Sequence, residues 1–202
     1  MTAAGICTLD GLVGLSGFRC IVADPPWAYG AWGTPSDRPN QTKVRPMPYP
    51  TMTVQEIAAL PVAGCAEDGC HLYLWTTQRF LRATYDVLDA WGFKQGAVLV
   101  WSKPPMGVCG TWVCSAEFCI FARRGTLAHK RRHIGTVFNW SRGRHSAKPG
   151  AFQDLVETVS PGPYLELFAR PWTPLFEKRV GWEAWGNEIQ ANVTNQTSSG
   201  AR

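Results

Sequence analysis

The sequence predicts an α/β sandwich with a largely parallel sheet. Segments with the apolar pattern of buried strands alternate along the chain with segments of helical spacing. A length of 202 residues with 45% hydrophobic content is enough for one core of ordinary size. No internal repeat or break in composition divides the chain. We therefore expect one domain over residues 1–189, followed by a small, polar and disordered tail over residues 190–202.

Continuous apolar runs predict the strands. In chain order they are Phe18–Ala23, Cys70–Trp75, Phe93–Trp101, Ala116–Ala122, Tyr164–Ala169 and a last strand into which Gly181–Trp185 leads. Spacing predicts three helices, two of which have a start or stop signal of their own. They are the short helix that the capping box Thr53–Glu56 opens and that runs to Leu60, the helix Gln78–Trp91 before Gly92, and the helix Phe152–Val159.

The tetrad Asp24-Pro25-Pro26-Trp27 directly follows the first predicted strand. The two prolines have no backbone N–H, so the tetrad offers carbonyl and carboxylate oxygens that accept hydrogen bonds. Trp27 adds a flat apolar face. Such a pocket suits a planar ring that carries an amino group, because the acceptors hold the amino hydrogens while the indole stacks on the ring. The alternative is a turn that the prolines stiffen, with Asp24 as a cap.

A basic stretch lies between Glu117 and Asp154, where the sequence has no acidic residue. The net charge of the chain is +5, and eight of its lysines and arginines fall in this stretch: Arg123, Arg124, Lys130, Arg131, Arg132, Arg142, Arg144 and Lys148. A basic stretch with an interleaved aromatic, here Trp140, is typical of contact with phosphate backbones. The alternative is a solvated basic face, but beside the predicted ring pocket we expect nucleic-acid contact.

Composition excludes several other classes of protein. Seven scattered cysteines, among them Cys20 and Cys119, suggest reduced thiols in the core of a cytoplasmic protein. No apolar run has the length of a transmembrane helix, and the N-terminus lacks the pattern of a signal peptide. Cys114, Cys119, His129 and His133 loosely resemble a zinc finger. Their spacing is irregular and Cys119 falls within an apolar strand, so we expect no metal site.

The tetrad and several later motifs resemble an amino-methyltransferase family. It is the family of the catalytic subunit of the eukaryotic mRNA adenosine methyltransferase, which also has bacterial and phage members. The resemblance covers residues 18–189. Beyond the tetrad, the motifs that carry it are Tyr49-Pro50-Thr51-Met52, Leu74-Trp75-Thr76, the strand from Glu117 to Arg123-Arg124-Gly125, Ser146-Ala147-Lys148-Pro149, Leu165–Arg170 and Gly181–Glu188.

The resemblance implies a Rossmann-like methyltransferase sandwich in circularly permuted order, with the catalytic motif before the cofactor motif. The implied cofactor is S-adenosylmethionine. Lys148 is expected to reach its carboxylate, and Glu188 beside Asn187 to hold its ribose hydroxyls. The first cofactor strand would contribute Glu166, Phe168 and Arg170. Trp172-Thr173 stands in place of the His-Asn pair of the eukaryotic pattern, so the polar contacts of that pair are not carried over, and packing of Trp172 on the adenosine moiety is left open.

The implied reaction is methyl transfer to the exocyclic N6 amino group of adenine in a polynucleotide. Asp24 and the carbonyl of Pro25 would accept the amino hydrogens, with Pro26 and Trp27 completing the catalytic tetrad. The loop Tyr29–Pro50 and the basic stretch would bind the strand. The candidate substrate-binding residues are Tyr29, Tyr49, Trp101, Lys103, Glu117, Arg123, Arg124, Arg131, Arg132, Arg142 and Arg144.

Three alternatives to a DNA methyltransferase remain. We favour DNA because the chain is short, has no accessory RNA-binding domain and is similar to bacterial and phage members, but RNA is an alternative substrate. A non-catalytic scaffold that partners an active homologue would lack Asp24, which is present here. Methylation of a protein amide is typical of an Asn-led tetrad. The expected partner is thus nucleic acid, with a homodimer or a heterodimer with a related subunit left open, in a bacterial or phage-infected cytoplasm.

Overall fold

A computed structural model describes residues 10–29, 49–103, 108–109, 111–141, 148–169 and 179–186. Several expectations from the sequence lie outside the described residues. They are most of the loop between Tyr29 and Pro50, the tail over residues 190–202, Trp172-Thr173, and the candidate site residues Arg142, Arg144, Arg170, Asn187 and Glu188.

The described residues form nine strands and five helices. The helices are α1 (Asp10–Val13), α2 (Val54–Ala58), α3 (Val62–Cys65), α4 (Leu81–Ala90) and α5 (Gly150–Val159). The strands are β1 (Phe18–Ala23), β2 (Ala66–Thr76), β3 (Lys94–Ser102), β4 (Val108–Cys109), β5 (Trp112–Val113), β6 (Ala116–Arg124), β7 (Val137–Phe138), β8 (Tyr164–Leu167) and β9 (Trp182–Trp185).

Seven of these strands form one sheet in the order β7-β3-β6-β2-β1-β8-β9. Strand β6 runs antiparallel to β2 and β3, and the other neighbouring pairs are parallel. The predicted α/β fold with a largely parallel sheet is therefore confirmed. The carboxyl ends of β1, β2, β3 and β8 meet the amino end of β6 at one edge of this sheet, and that edge carries the site described below.

The predicted elements are all present; β1 has its predicted ends, and the other elements have at least one shifted end. The capping box is formed, because the Thr53 side chain accepts from the backbone N–H of Glu56 while the Glu56 carboxylate accepts from the backbone N–H of Thr53. Gly92 has a φ of 75°, the left-handed conformation that ends a helix. The sequence did not predict α1, α3, β4, β5 and β7, since elements of two to four residues are too short to show a period.

The sheet is covered on both faces. Alternation along β2 directs Leu72 and Leu74 into a core with Ile57, Val87 and Trp91, on the face of α2 and α4. The intervening Tyr73 and Trp75 enter a second core, against Phe152 and Val156 of α5. Helices α2 and α4, the sheet, and helix α5 thus form the three layers of a sandwich.

A buried histidine lies in the sheet beneath α5. His71 is fully buried, its Nδ1 is hydrogen-bonded to Ser160 Oγ at 2.8 Å, and its ring stacks on His129 with centroids 4.6 Å apart. Burial, assisted by the neighbouring His129, lowers the pKa of His71 to about 4. His71 is thus neutral in the folded protein across most of the acidic range.

The cysteines agree with the sequence interpretation only in part. Cys20, Cys65, Cys70 and Cys119 are free and buried, as expected for small core residues. Cys114 takes part in a disulfide, so the expectation of reduced thiols is wrong at that position. Cys119 packs inside the second core. None of the helices in the described ranges has the length and apolar character needed to cross a membrane.

Candidate active site

The tetrad is held rigidly where β1 ends. The N–H of Trp27 donates to the carbonyl of Pro25 at 2.9 Å, which forms a tight turn. Met52 binds the tetrad from the other side, since its N–H donates to the carbonyl of Pro26 at 2.8 Å and its carbonyl accepts from the N–H of Ala28 at 3.0 Å. Each proline carbonyl keeps a second lone pair for a ligand. The backbone of the tetrad is therefore fixed before any ligand binds.

Trp27 supports the tetrad from the core side. It is 4% exposed, its ring stacks on Phe80 with centroids 5.2 Å apart, and its Nε1–H donates to the carbonyl of Trp75 at 3.1 Å. This arrangement corrects the expectation of an open stacking face, because Phe80 and the core already cover the indole. A buried tryptophan that is satisfied at its polar end anchors the chain where it leaves the sheet.

Two carboxylates and two lysines form a charge network beside the tetrad. Lys148 Nζ lies 2.8 Å from Asp24 Oδ2 and 3.4 Å from Glu117 Oε2. The other oxygen of Glu117 accepts a hydrogen bond from Lys103. The two side chains of the central contact, Lys148 and Asp24, are 22% and 38% exposed, so a ligand can reach Asp24 from solvent. Four charges from four separate segments thus meet in one place.

The lysines keep this network charged. Burial alone would raise the pKa of Glu117, but Lys148 and Lys103 outweigh it and hold that pKa below its usual range. Burial would likewise lower the pKa of Lys148, but Asp24 and Glu117 outweigh it and raise that pKa. Glu117 is therefore a carboxylate, and Lys148 an ammonium, throughout the neutral range.

A cleft of about 90 Å³ opens over this network. Its lining contains eight residues that the sequence predicted for the site or cofactor, and two that it did not: Asp24, Pro25, Pro26, Trp27, Tyr29, Tyr49, Glu117 and Lys148, with Thr76 and Thr77. The hydroxyl of Tyr29 donates to Thr77 Oγ1 at 2.9 Å. The only signal for the threonines was the motif that ends β2. A strand end next to β1 reaches the same edge of the sheet.

Glu166 marks the carboxyl end of β8, next to β1. Its Oε2 accepts a hydrogen bond from Gln153 Nε2 at 3.0 Å. Burial raises the pKa of Glu166 to about 7, against the opposing effect of Gln153 and with a further contribution from Asp24. The following turn places Phe168 at a φ of 61°, edge-on to Trp185. A buried carboxyl and a left-handed residue at a strand end are typical of a ligand-binding edge.

Other candidate substrate-binding residues lie away from the cleft. Trp101 is 4% exposed and its Nε1–H donates to the carbonyl of Trp140 at 2.9 Å, which makes it a core residue. Arg124 donates to the carbonyl of Ala63 at 2.6 Å, at the opposite end of the sheet. Arg123, Arg131 and Arg132 line a separate groove. The structure does not bring these candidate residues to the cleft, because β6 extends away from the tetrad; their role in binding nucleic acid stays a prediction.

The shifted pKa values of Glu166 and His71 should make the free energy of unfolding depend on pH in opposite directions. The folded-state pKa of His71, about 4, is below its ordinary 6.5, so its stabilisation is complete above pH 6.5 and is lost as pH falls to 4. That loss is about 3 kcal/mol. The folded-state pKa of Glu166, about 7, is above its ordinary 4.5, so its stabilisation is complete below pH 4.5 and is lost as pH rises to 7. The two trends oppose each other between pH 4.5 and 6.5.

Urea unfolding at pH 5, 6 and 7 measures this compensation. We expect the free energy of unfolding to rise with pH in Glu166→Gln, where the His71 trend is unopposed, and to fall with pH in His71→Gln. The exposed His133→Gln is the matched control and should follow the wild type. Parallel pH profiles for all four proteins would contradict the burial of these two groups.

The sequence profile of one protein family, described as MT-A70, matches residues 18–188. The chain belongs to the MT-A70 family. MT-A70 proteins are S-adenosylmethionine-dependent N6-adenine methyltransferases, so the predicted family and cofactor are confirmed. The matched range begins at the first residue of β1 and extends beyond β9, and it thus contains the whole of the main sheet.

Individual relatives of this MT-A70 chain come from bacteria and eukaryotes. This chain is 30% identical to the type II methyltransferase M.MunI of a Mycoplasma species, and the match covers 87% of this chain and 79% of that protein. It is 27% identical to an N(6)-adenosine-methyltransferase MT-A70-like protein of Drosophila melanogaster and 25% identical to the human N(6)-adenosine-methyltransferase catalytic subunit METTL3. The matches cover 87% of this chain but only 27% and 29% of those two proteins.

The residues at the sheet edge fit the cofactor of the MT-A70 family. S-adenosylmethionine carries an amino-acid carboxylate, an ammonium group and a sulfonium, so it needs both anionic and cationic partners. The ammonium of Lys148, just before α5, and the half-buried carboxyl of Glu166, in β8, supply the two kinds of group. Asp24 is ion-paired to Lys148 and follows β1, the strand that pairs with β8.

Proposed function

We propose that this chain methylates the N6 amino group of adenine in DNA. The observation that carries the proposal is the charged cluster of Asp24, Lys148 and Glu117 over a rigid tetrad rich in hydrogen-bond acceptors. DNA is favoured over RNA by the comparison of lengths. The chain matches most of a type II methyltransferase, but less than a third of each of the two eukaryotic adenosine methyltransferases compared above.

The tetrad would position the adenine. An exocyclic amino group has two hydrogens, and Asp24 Oδ and the free lone pair of the Pro25 carbonyl are two acceptors for them. Holding both hydrogens turns the nitrogen lone pair out of the ring plane, toward the reacting methyl group. The nitrogen becomes positively charged as its new bond forms. The Asp24 carboxylate stabilises that charge and can accept the proton that the nitrogen then loses.

The cofactor would be held by residues on two sides of Asp24. Bound S-adenosylmethionine supplies an electrophilic methyl group on sulfur. Lys148 would contact its carboxylate, and Glu166 would contact one of its positively charged or hydrogen-bond donor groups. Phe168 at the end of β8 would contribute an apolar contact. Arg170, Asn187 and Glu188 remain proposed ligands on the resemblance alone.

One incubation tests the proposed reaction. The protein is mixed with S-adenosylmethionine that carries a labelled methyl group and with matched DNA and RNA, each single- and double-stranded, and the products are digested to nucleosides. We expect labelled N6-methyladenine from DNA, formed about a hundred- to a thousandfold more slowly with Asp24→Asn as the matched variant. Label in RNA alone would replace DNA with RNA. A protein that labels no adenine and binds no cofactor in calorimetry would be a scaffold.

A further inference from the structure

A second concave surface lies on the α5 face of the sheet, and we call it the arginine groove. Its volume is about 460 Å³, within the range of sites that hold small ligands. Its lining includes Ala97, Leu99 and Phe121 from β3 and β6, and Leu155 and Val159 from α5. It shares no lining residue with the cleft at the tetrad. The arginine groove is therefore a separate site on the same face.

The rim of the arginine groove is cationic. Arg123, Arg131 and Arg132 line it and are exposed. None of the three forms an ion pair with an acidic side chain among the described residues. Guanidinium groups bind phosphates through paired N–H donors, and an unpaired cluster of them attracts a polyanion. The rim is suited to one or two phosphates.

The floor of the arginine groove is aromatic and apolar. Phe121 and Phe138 contribute rings, with Leu99 and Ile134 beside them. His129 also lines the groove, and its Nδ1 is buried without a hydrogen-bond partner among the described residues. Aromatic rings in the lining of a groove can stack a nucleobase. Floor and rim together match a nucleotide, with its base inside and its phosphate at the arginines.

We propose that the arginine groove binds a nucleotide of the strand that carries the target adenine, a few positions from it. This proposal rests on the proposed function. Strand β6 connects the two sites, because Glu117 in the cleft and Phe121 in the groove point to the same face of the sheet. Their four-residue separation spans about 13 Å. That is the length of about four stacked nucleotides, and of fewer when the strand is extended.

Two variants test the arginine groove without touching the cleft. Gly135 lines the groove, and a Cβ added there meets no atom within 4 Å, so Gly135→Phe adds a ring to the lining of the groove without a steric clash at the Cβ. The double variant Arg131→Ala/Arg132→Ala removes two rim charges. Lys130→Ala is the matched control, since Lys130 is exposed in the same segment but does not line the groove. Thermal unfolding establishes that each variant folds.

The binding probe is a fluorescein-labelled single-stranded 15-mer of deoxythymidylate with one central adenine, measured by anisotropy. We expect Gly135→Phe to weaken binding about tenfold, as for the loss of one stacked base. The double arginine variant should weaken it at least fivefold and flatten its salt dependence, while Lys130→Ala changes it less than twofold. Cofactor affinity should be unchanged in every variant.

An abasic scan separates a bound base from general attraction of phosphates. A single abasic nucleotide is placed at successive positions on either side of the adenine. We expect one or two positions to weaken wild-type binding but not that of Gly135→Phe, because the base and the cavity are then coupled. Equal losses in Lys130→Ala and the arginine variant would overturn the proposal. Unchanged oligonucleotide affinity in Gly135→Phe would also overturn it. This holds even if the groove binds free adenosine monophosphate.

The proposal and the proposed function fail in different ways. A wild-type protein that methylates no adenine would refute the reaction, whatever the anisotropy shows. If the wild type methylates DNA and Gly135→Phe binds the oligonucleotide as tightly as the wild type, the proposed reaction stands and the arginine groove is not a nucleotide site.

Discussion

Asp24→Asn should lower the rate of methyl transfer by about a hundred- to a thousandfold, the usual cost of removing one group that stabilises transition-state charge. Asparagine keeps the shape of the side chain but loses the negative charge, and its amide N–H₂ would donate where the adenine amino group must also donate. Single-turnover transfer from labelled cofactor measures the change. Because Asp24 is 38% exposed, we expect the fold to be retained.

The matched control is Asp86→Asn, an exposed aspartate on α4 that lies outside the cleft. It should transfer methyl groups at the wild-type rate. Cofactor affinity by calorimetry shows whether Asp24→Asn still forms the site. Retention of more than a tenth of the wild-type rate would remove Asp24 from the chemistry, and loss of the folded state would make the tetrad a structural element.

Lys148→Met should lower the rate of methyl transfer about tenfold to a hundredfold at neutral pH. It should also move the acid side of the pH–rate profile to higher pH. Lys148 contacts both Asp24 and Glu117, and without it the two carboxylates repel each other across the cleft. The pKa of Glu117 is held down by Lys148 before Lys103, so that pKa rises when Lys148 is removed. Methyl transfer measured from pH 5 to 9 should then reach its plateau at a higher pH.

A measurement of cofactor affinity separates the two roles of Lys148, which are to hold the carboxylates of the cleft and to bind the cofactor. If Lys148 also binds the carboxylate of S-adenosylmethionine, Lys148→Met weakens that affinity by about tenfold or more, as for a charge-assisted hydrogen bond. Lys148→Arg should restore part of the rate, since it restores the positive charge. The exposed Lys94→Met is the control for loss of a lysine. An unchanged pH profile in Lys148→Met would contradict a role of Lys148 in keeping Glu117 ionised.

The tetrad could be predicted from the sequence because the residues that indicate it are adjacent in the chain. An apolar run that ends in Asp24 predicts a strand followed by an acid at its carboxyl end, and the structure has that arrangement. The contact between Lys148 and Asp24 was not accessible, because it joins residues 124 positions apart. Only the order of the strands in the sheet brings the two together, and apolar runs do not give that order.

Strand direction and side-chain direction limited the rest of the prediction. An apolar run predicts β6 as a strand but does not show that it runs antiparallel to both neighbours. Arg123 and Arg124 are adjacent in sequence and were given one role. Alternation along β6 places Arg123 at the arginine groove, while Arg124 bonds the carbonyl of Ala63. Trp27 was misjudged because Phe80, which covers it, is distant in sequence.

The four charges around Asp24 sum to zero, since two carboxylates are matched by Lys103 and Lys148. Among the described residues the charges of the cleft thus give no net attraction for a phosphate backbone. Under the two proposals, long-range capture of the strand would depend on the arginines of the groove, whose field salt screens. Higher ionic strength would then slow the capture of the strand more than the methyl transfer itself.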